Sequence, residues 1–157
     1  MQVFESHAGK LGKKTFHKFS LPFLKKIVTE VKAQLKSRSL PDIPMIVFAK
    51  DAHYALDDLC DTDYDVIGLD WTIEPTIARK IASSKGKTLQ GNLDPAVLYG
   101  SADVIHDNTK EMMSGFGTQS YIANLGHGMY PDMDPSHLKA YVDAVHSISE
   151  LMICEKS

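Results

Sequence analysis

The sequence predicts an α/β chain of the (β/α)8 TIM-barrel type, here an incomplete barrel of about five β/α units. Three observations predict it. Short apolar runs alternate strictly with segments of helical periodicity, five of each, the pattern of parallel strands joined by right-handed crossovers. Two of the runs, PMIVFAK at 44–50 and VIGLDW at 66–71, are nearly continuous, as in strands buried on both faces. Polar residues also follow the strands: Ser6, Lys50 and Asp51, Asp70, Asn92 and Asp94, and His127 all stand at predicted strand C-terminal ends. A barrel draws its site from several strands at that face, whereas an open doubly wound sheet uses one crevice, usually with a glycine-rich phosphate loop. The chain has no GxGxxG or GxxxxGK[ST] loop.

In chain order, residues 2–6 form a first strand that starts almost at Met1, which leads to the expectation that something is missing upstream. Ser20 is expected to cap a helix with Pro22 in its first turn and Leu21, Leu24, Val28, Val31 and Leu35 on its inner side. The second strand, 44–50, follows a loop bounded by Pro41 and Pro44, and a short helix covers 53–60. After the third strand, Pro75 starts a helix with Ile77 and Ile81 inward, and 88–92 is the fourth strand. Ser101 caps a helix that places Ile105, Met112, Met113 and Phe116 inward and ends at Gly117. The fifth strand, 121–125, runs into Gly126, His127 and Gly128, where the backbone beside an imidazole lacks Cβ atoms and allows close approach. Asp134 and Pro135 open the last helix, with Leu138, Tyr141, Val142, Val145, Ile148 and Met152 on one side.

The 157 residues, 43% hydrophobic and 24% charged, suffice for one domain with a real core, so 1–157 is expected to be a single domain. A closed barrel takes about 250 residues, so that domain is part of a barrel. With no apolar run of membrane-spanning length and no secretory leader, a soluble intracellular protein is expected. Cys60 and Cys154 have no CxxC partner, fit a reducing compartment and are expected to be inert thiols. The net charge of −3 is uneven: the first fifty residues hold ten Lys or Arg against three acids, and the remainder is acidic. Most of those lysines lie on the polar side of one predicted helix, which argues for a solvated face and against nucleic acid.

The motifs FESHAG at 4–9, GLDW at 68–71, LQGNLDP at 89–95 and YIANLGHGMYPDMDP at 121–135, in this order and spacing, resemble the uroporphyrinogen decarboxylase family. The resemblance covers nearly the whole chain, as the C-terminal part of a family member whose N-terminal barrel strands are absent. It implies a cytoplasmic, cofactor-free, homodimeric enzyme of haem synthesis. That enzyme decarboxylates the acetate side chains of uroporphyrinogen III and of the partly decarboxylated porphyrinogens, giving coproporphyrinogen III. It further implies substrate contacts at Ser6, Phe4 and His127, with His127 binding a carboxylate or relaying a proton. Phe4 would share the strand face of Ser6, and His7 would point away and serve structure. The family's key aspartate and substrate-binding arginines would lie outside this chain, so Asp51, Asp70 and Asp94 do not take that role, and no catalytic residue is assigned. Arg38 and Arg79 are expected to be surface charges.

Capping and turn roles are expected for Asp132 and Asp134, rather than metal ligation with His127. Corrinoid methyltransferases that share the fold hold zinc through a thiolate, and no cysteine stands near His53 or His127, so no metal is expected. His17, His106, His137 and His146 read as surface positions, and Trp71 either flanks a pocket or packs in the core. An alternative function stays open: a catalytically incompetent half-barrel that acts only by pairing its strand edges with a partner chain.

Overall fold

The computed structural model describes residues 1–155. Five parallel strands, β1 (Gln2–Glu5), β2 (Ile46–Ala49), β3 (Val66–Gly68), β4 (Thr88–Leu93) and β5 (Tyr121–Leu125), are hydrogen-bonded in chain order. Unbroken sequential order is the barrel arrangement, since a doubly wound sheet reverses its order at a switch point. The connections carry α1 (Lys13–Phe19), α2 (Leu21–Ser37), α3 (Leu56–Cys60), α4 (Pro75–Ser84) and α5 (Ala102–Phe116), and α6 (Pro135–Cys154) follows β5.

The strand register separates two faces. Val3, Val47, Ile67, Leu89 and Tyr121 lie level across the sheet on one side, and Phe4, Phe48, Gly68, Gln90 and Ile122 lie level on the other. The first row faces the helices, where Val47, Ile67 and Leu89 are fully buried and join one continuous core with Val28, Leu98, Ile105 and Ile148. The second row faces an open concavity, and Phe4 is 64% exposed there. The expectation that 44–50 is buried on both faces therefore needs correction: Val47 and Ala49 are buried, but Ile46 and Phe48 are only half-buried. Helices cover one side of the arc only.

Several local expectations hold and others change. Ser101 accepts from the Val104 N–H and Asp134 from the Ser136 N–H, both as N-caps, and Gly117 ends α5 at φ 73°. Ser20 does not cap through its side chain. Its backbone is helical and its hydroxyl donates to Glu5 Oε2 at 2.6 Å, which ties the start of α2 to the end of β1. Helix α1 was not foreseen because its one buried residue, Phe16, leaves no periodicity to detect. The Phe16 ring meets Tyr54 edge-on at 5.8 Å. In α4 the buried stripe is Ala78 and Ala82, and Ile77 is exposed. Small residues let α4 lie close to α5: a Cβ on Gly115 would sit 2.6 Å from Pro75 Cβ. Val142 of α6 is likewise exposed, so the inner stripe runs through Tyr141, Ala144 and Ile148.

Arg79 is not a surface charge. Its Nε donates to Phe116 O at 2.7 Å and its other nitrogens reach Ser120 O, so it holds the end of α5 against the entry to β5. Burial lowers its pKa, since the guanidinium gives up water for two carbonyls. A second tie is Asp65, just before β3. Its carboxylate accepts from the Met45 N–H at 2.7 Å and from Lys32 Nζ at 2.9 Å, joining β3, β2 and α2.

Burial pushes the Asp65 carboxyl upward, but the Met45 hydrogen bond and the Lys32 ammonium outweigh it and leave the net value below the ordinary one. A depressed folded-state pKa gives stability that is present above the unfolded value near 3.9 and lost as pH falls through the folded value. Urea unfolding midpoints measured from neutral pH downward are therefore expected to fall less steeply through that window for Asp65→Asn than for the unsubstituted chain. For the core, Phe16→Ala is expected to cost about 3–5 kcal/mol in the same assay at neutral pH.

Candidate functional site

The concave face holds an open pocket of ≈ 340 Å³ at the C-terminal ends of the strands. Its lower wall is apolar, from Phe4 and Phe48, whose rings meet edge-on at 6.0 Å. Gly68 leaves room beside Phe48 on the side away from Phe4, because a Cβ there would lie 3.2 Å from the Phe48 ring. Ser6 and Lys50 stand above, at the tops of β1 and β2, where the Lys50 N–H donates to Glu5 O at 3.1 Å and continues the ladder. Asn124 and His127 close the opposite side from the end of β5. Phe4, Ser6 and His127, each anticipated from sequence, thus line one cavity although more than a hundred residues separate the first two from the last. His7 does not line it. Its ring is exposed and its backbone N–H donates to Glu5 Oε1.

The strand-end acids are occupied elsewhere. Asp70, 4% exposed, accepts from the Asp51 N–H, from the Thr72 N–H at 2.9 Å and from the Thr72 hydroxyl. Its carbonyl accepts from Asn92 Nδ2 at 2.9 Å, and the same amide donates to Ile73 O at 2.8 Å. Asp51 pairs with Lys50 Nζ at 2.7 Å, and Asp94 accepts from the Ala96 N–H at 2.9 Å. These groups brace the rim of the pocket, and none of the three aspartates lines it.

The glycines around His127 serve different ends. A Cβ on Gly126 would meet Trp71 N at 2.9 Å and Asp70 Cα at 3.0 Å, so the close approach there is made by the chain itself. The Gly126 N–H donates to Leu93 O at 2.7 Å, locking the turn onto β4. Gly128 has nothing within 4 Å of its Cβ position. Trp71 lies at the surface, 36% exposed, and borders a second hollow beside α5, so it flanks a cavity and does not fill the core. The turn beyond His127 is anchored by buried Met133 and by Tyr99, whose hydroxyl donates to Asp132 at 2.8 Å. Asp132 and Asp134 therefore act in the turn and the cap.

The remaining titratable groups are spoken for in several ways. His17 pairs with Asp58 at 2.8 Å and His137 Nδ1 lies 2.6 Å from Leu98 O, so these two serve structure and are not merely surface positions. Burial pushes the Cys60 thiol up to about 11, which makes it a poor nucleophile, and Cys154 is exposed. Among the described residues no group of three or more His, Cys, Asp or Glu side chains is arranged to hold a metal ion. None of the described helices is long and apolar enough to cross a membrane.

Among the polar groups of the pocket, sequence reasoning missed Gln2, Gln90 and Asn124, and Lys50 as a lining cation. Gln90 Oε1 is buried without a hydrogen-bond partner. The available signal was period-two alternation, which sets Gln90 level with Phe4 and Phe48 on the concave row.

A family model described as uroporphyrinogen decarboxylase (URO-D) matches residues 1–148. The uroporphyrinogen decarboxylase of Homo sapiens is 53% identical over 97% of this chain, that of Danio rerio 52% over 98%, and that of Salinibacter ruber 50% over 97%. In each case the chain spans 41% of the relative's length. A methyltransferase from Methanosarcina mazei superposes with a TM-score of 0.75 over 93% of this chain and 41% of that one, at 19% identity, a likeness of fold.

The two glycines make a paired test of the close approach. Gly126→Ala is expected to lower stability by about 1–3 kcal/mol because the backbone of Asp70 and Trp71 must shift. Gly128→Ala is expected to stay within about 0.5 kcal/mol. Chemical denaturation of both variants checks this, and equal losses would place the constraint elsewhere.

Proposed function

The chain belongs to the uroporphyrinogen decarboxylase family, and from that premise we propose that residues 1–157 are the C-terminal part of such a barrel. Their function is the cofactor-free decarboxylation of the four acetate side chains of uroporphyrinogen III to methyls, giving coproporphyrinogen III in haem biosynthesis. In this reading the working enzyme is a cytoplasmic homodimer that also accepts the partly decarboxylated porphyrinogens. The single observation that carries the reading is the meeting of Phe4, Ser6 and His127 in one pocket at the C-terminal face of the sheet.

The chemistry divides between substrate and protein. Protonation of a pyrrole carbon makes the ring a cationic electron sink. The bond from the acetate methylene to its carboxylate then breaks, its electron pair enters the ring and carbon dioxide leaves; a proton adds to the methylene carbon to make the methyl, and the ring carbon gives back its proton, which restores the pyrrole. What remains for the protein is to bind carboxylates, orient the ring and move protons. Ser6 and His127 supply polar contacts from opposite sides of the cavity, His127 taking a carboxylate first of all. Phe4 and Phe48 supply an apolar wall along which a tetrapyrrole can lie. Excluding water there lowers the local dielectric and strengthens each charge-assisted bond.

A second reading is favoured by the sheet edges. Among the described residues β1 pairs only with β2 and β5 only with β4, while Phe4 and Ile122 are exposed on the concave row. Such a surface suits a fragment that acts by pairing with another chain.

The test is oxygen-free turnover of uroporphyrinogen III, with products separated by carboxyl number. The chain is assayed alone and mixed with the N-terminal three fifths of a relative. The mixture is expected to release carboxyl groups, and His127→Ala to reduce the rate roughly tenfold or more, the scale of a hydrogen bond to a charged group. A mixture that assembles but leaves all eight-carboxyl substrate intact would favour the pairing fragment.

A further inference from the structure

We propose that Lys50 is a further substrate-contact residue of the pocket, its ammonium taking a carboxylate beside Ser6 while Asn124 offers amide donors from the opposite wall. The inference rests on the porphyrinogen reading above and adds a residue to that site. Lys50 is the lining residue that carries a fixed positive charge, and among the described residues no carboxylate lines the pocket. A cavity with that balance favours an anion over a cation.

The ammonium is held in place by a built arrangement. It donates to Asp51 Oδ2 at 2.7 Å, and Asp51 is fixed in turn through its N–H on the Asp70 carboxylate. Asp51 adopts φ 58°, a left-handed conformation that an aspartate tolerates better than most residues. Gly9 packs so closely that a Cβ on it would lie 2.4 Å from Asp51 Cβ. An ammonium carries three donors, and the Asp51 bond uses one. The others are available to a ligand oxygen, and the Asp51 carboxylate holds the ammonium at the wall while offsetting part of its charge, so a ligand anion competes with the pair. Asn124 complements it: its Oδ1 accepts from the Leu125 N–H at 2.9 Å, which leaves the NH₂ of the amide for the cavity. A plain surface ion pair would contribute little, and would need neither the Asp70 anchor nor the close approach of Gly9.

Calorimetric titration with uroporphyrinogen III, kept reduced under inert gas, of the chain assembled with the N-terminal three fifths of a relative tests the assignment, with circular dichroism confirming that each variant folds. Lys50→Met is expected to weaken binding roughly tenfold or more, and Lys50→Arg to retain more of it than Lys50→Met. Asp51→Asn keeps the left-handed backbone and releases the ammonium, so it is expected to tighten binding. A structural pair would predict the reverse, and loss of affinity in Asp51→Asn to the level of Lys50→Met would overturn the proposal. Equal binding by Lys50→Met and the unsubstituted chain would overturn it too, while leaving the porphyrinogen reading intact. An assembly with the unsubstituted chain that binds no uroporphyrinogen would overturn both.

Discussion

The Asp70 carboxylate is the constraint on which the top of the sheet depends. It is buried at the end of β3, and an ionised carboxylate taken out of water without partners would cost several kcal/mol. It is satisfied by backbone and side chain together: the Asp51 N–H beyond β2, and the N–H and hydroxyl of Thr72 beyond β3. The Asp70 carbonyl extends the same connection to β4 through Asn92. One residue thus sets the relative heights of three strand ends, and the cavity wall inherits that precision.

The close backbone approaches follow from this arrangement. Gly126 lies against Asp70 and Trp71 because a side chain would collide with them, and Gly9 lies against Asp51 for the same reason. Through Gly126 the β5 turn that carries His127 is seated on the Asp70 cluster, and through Gly9 the turn after β1 is seated on Asp51. Strand ends that are far apart in sequence are thereby brought to one rim, which is how parallel α/β units assemble a site from several connections. Asp51 shows why strand-end acids are poor guides to chemistry taken one at a time. It carries no exposed catalytic geometry, and its work is to hold its neighbour.

The two faces of the sheet are held by different physics. The helix side is close-packed, with Val47, Ile67 and Leu89 excluded from solvent, and it draws its stability from apolar burial and from ties such as Arg79 on Phe116 and Asp65 on Met45. The concave side leaves Phe4 exposed and Phe48 half-buried, and carries Gln90, whose Oε1 is buried without a hydrogen-bond partner. Exposed Phe4, half-buried Phe48, Ser6, Asn124 and the Lys50 ammonium give that face both apolar area and polar groups.

By itself the sequence determined the alternation of strands and helices, the caps at Ser101 and Asp134, and the stop at Gly117. These rest on local rules of periodicity, hydrogen bonding at helix ends and backbone freedom, which neighbours a few residues apart can settle. It also marked Phe4, Ser6 and His127 as expected substrate contacts through short motifs, and the fold brings these three to one pocket. Only the tertiary structure decided which face of each strand is covered, since a continuous apolar run reads the same whether its second face meets helices or an open cavity. It alone turned Ser20 from a cap into a donor to Glu5, Arg79 from a surface charge into a clamp, and Lys50 from a strand-end lysine into the cation of the pocket. Each of these depends on a partner distant in sequence, and no local pattern encodes which distant carbonyl or carboxylate a side chain will meet.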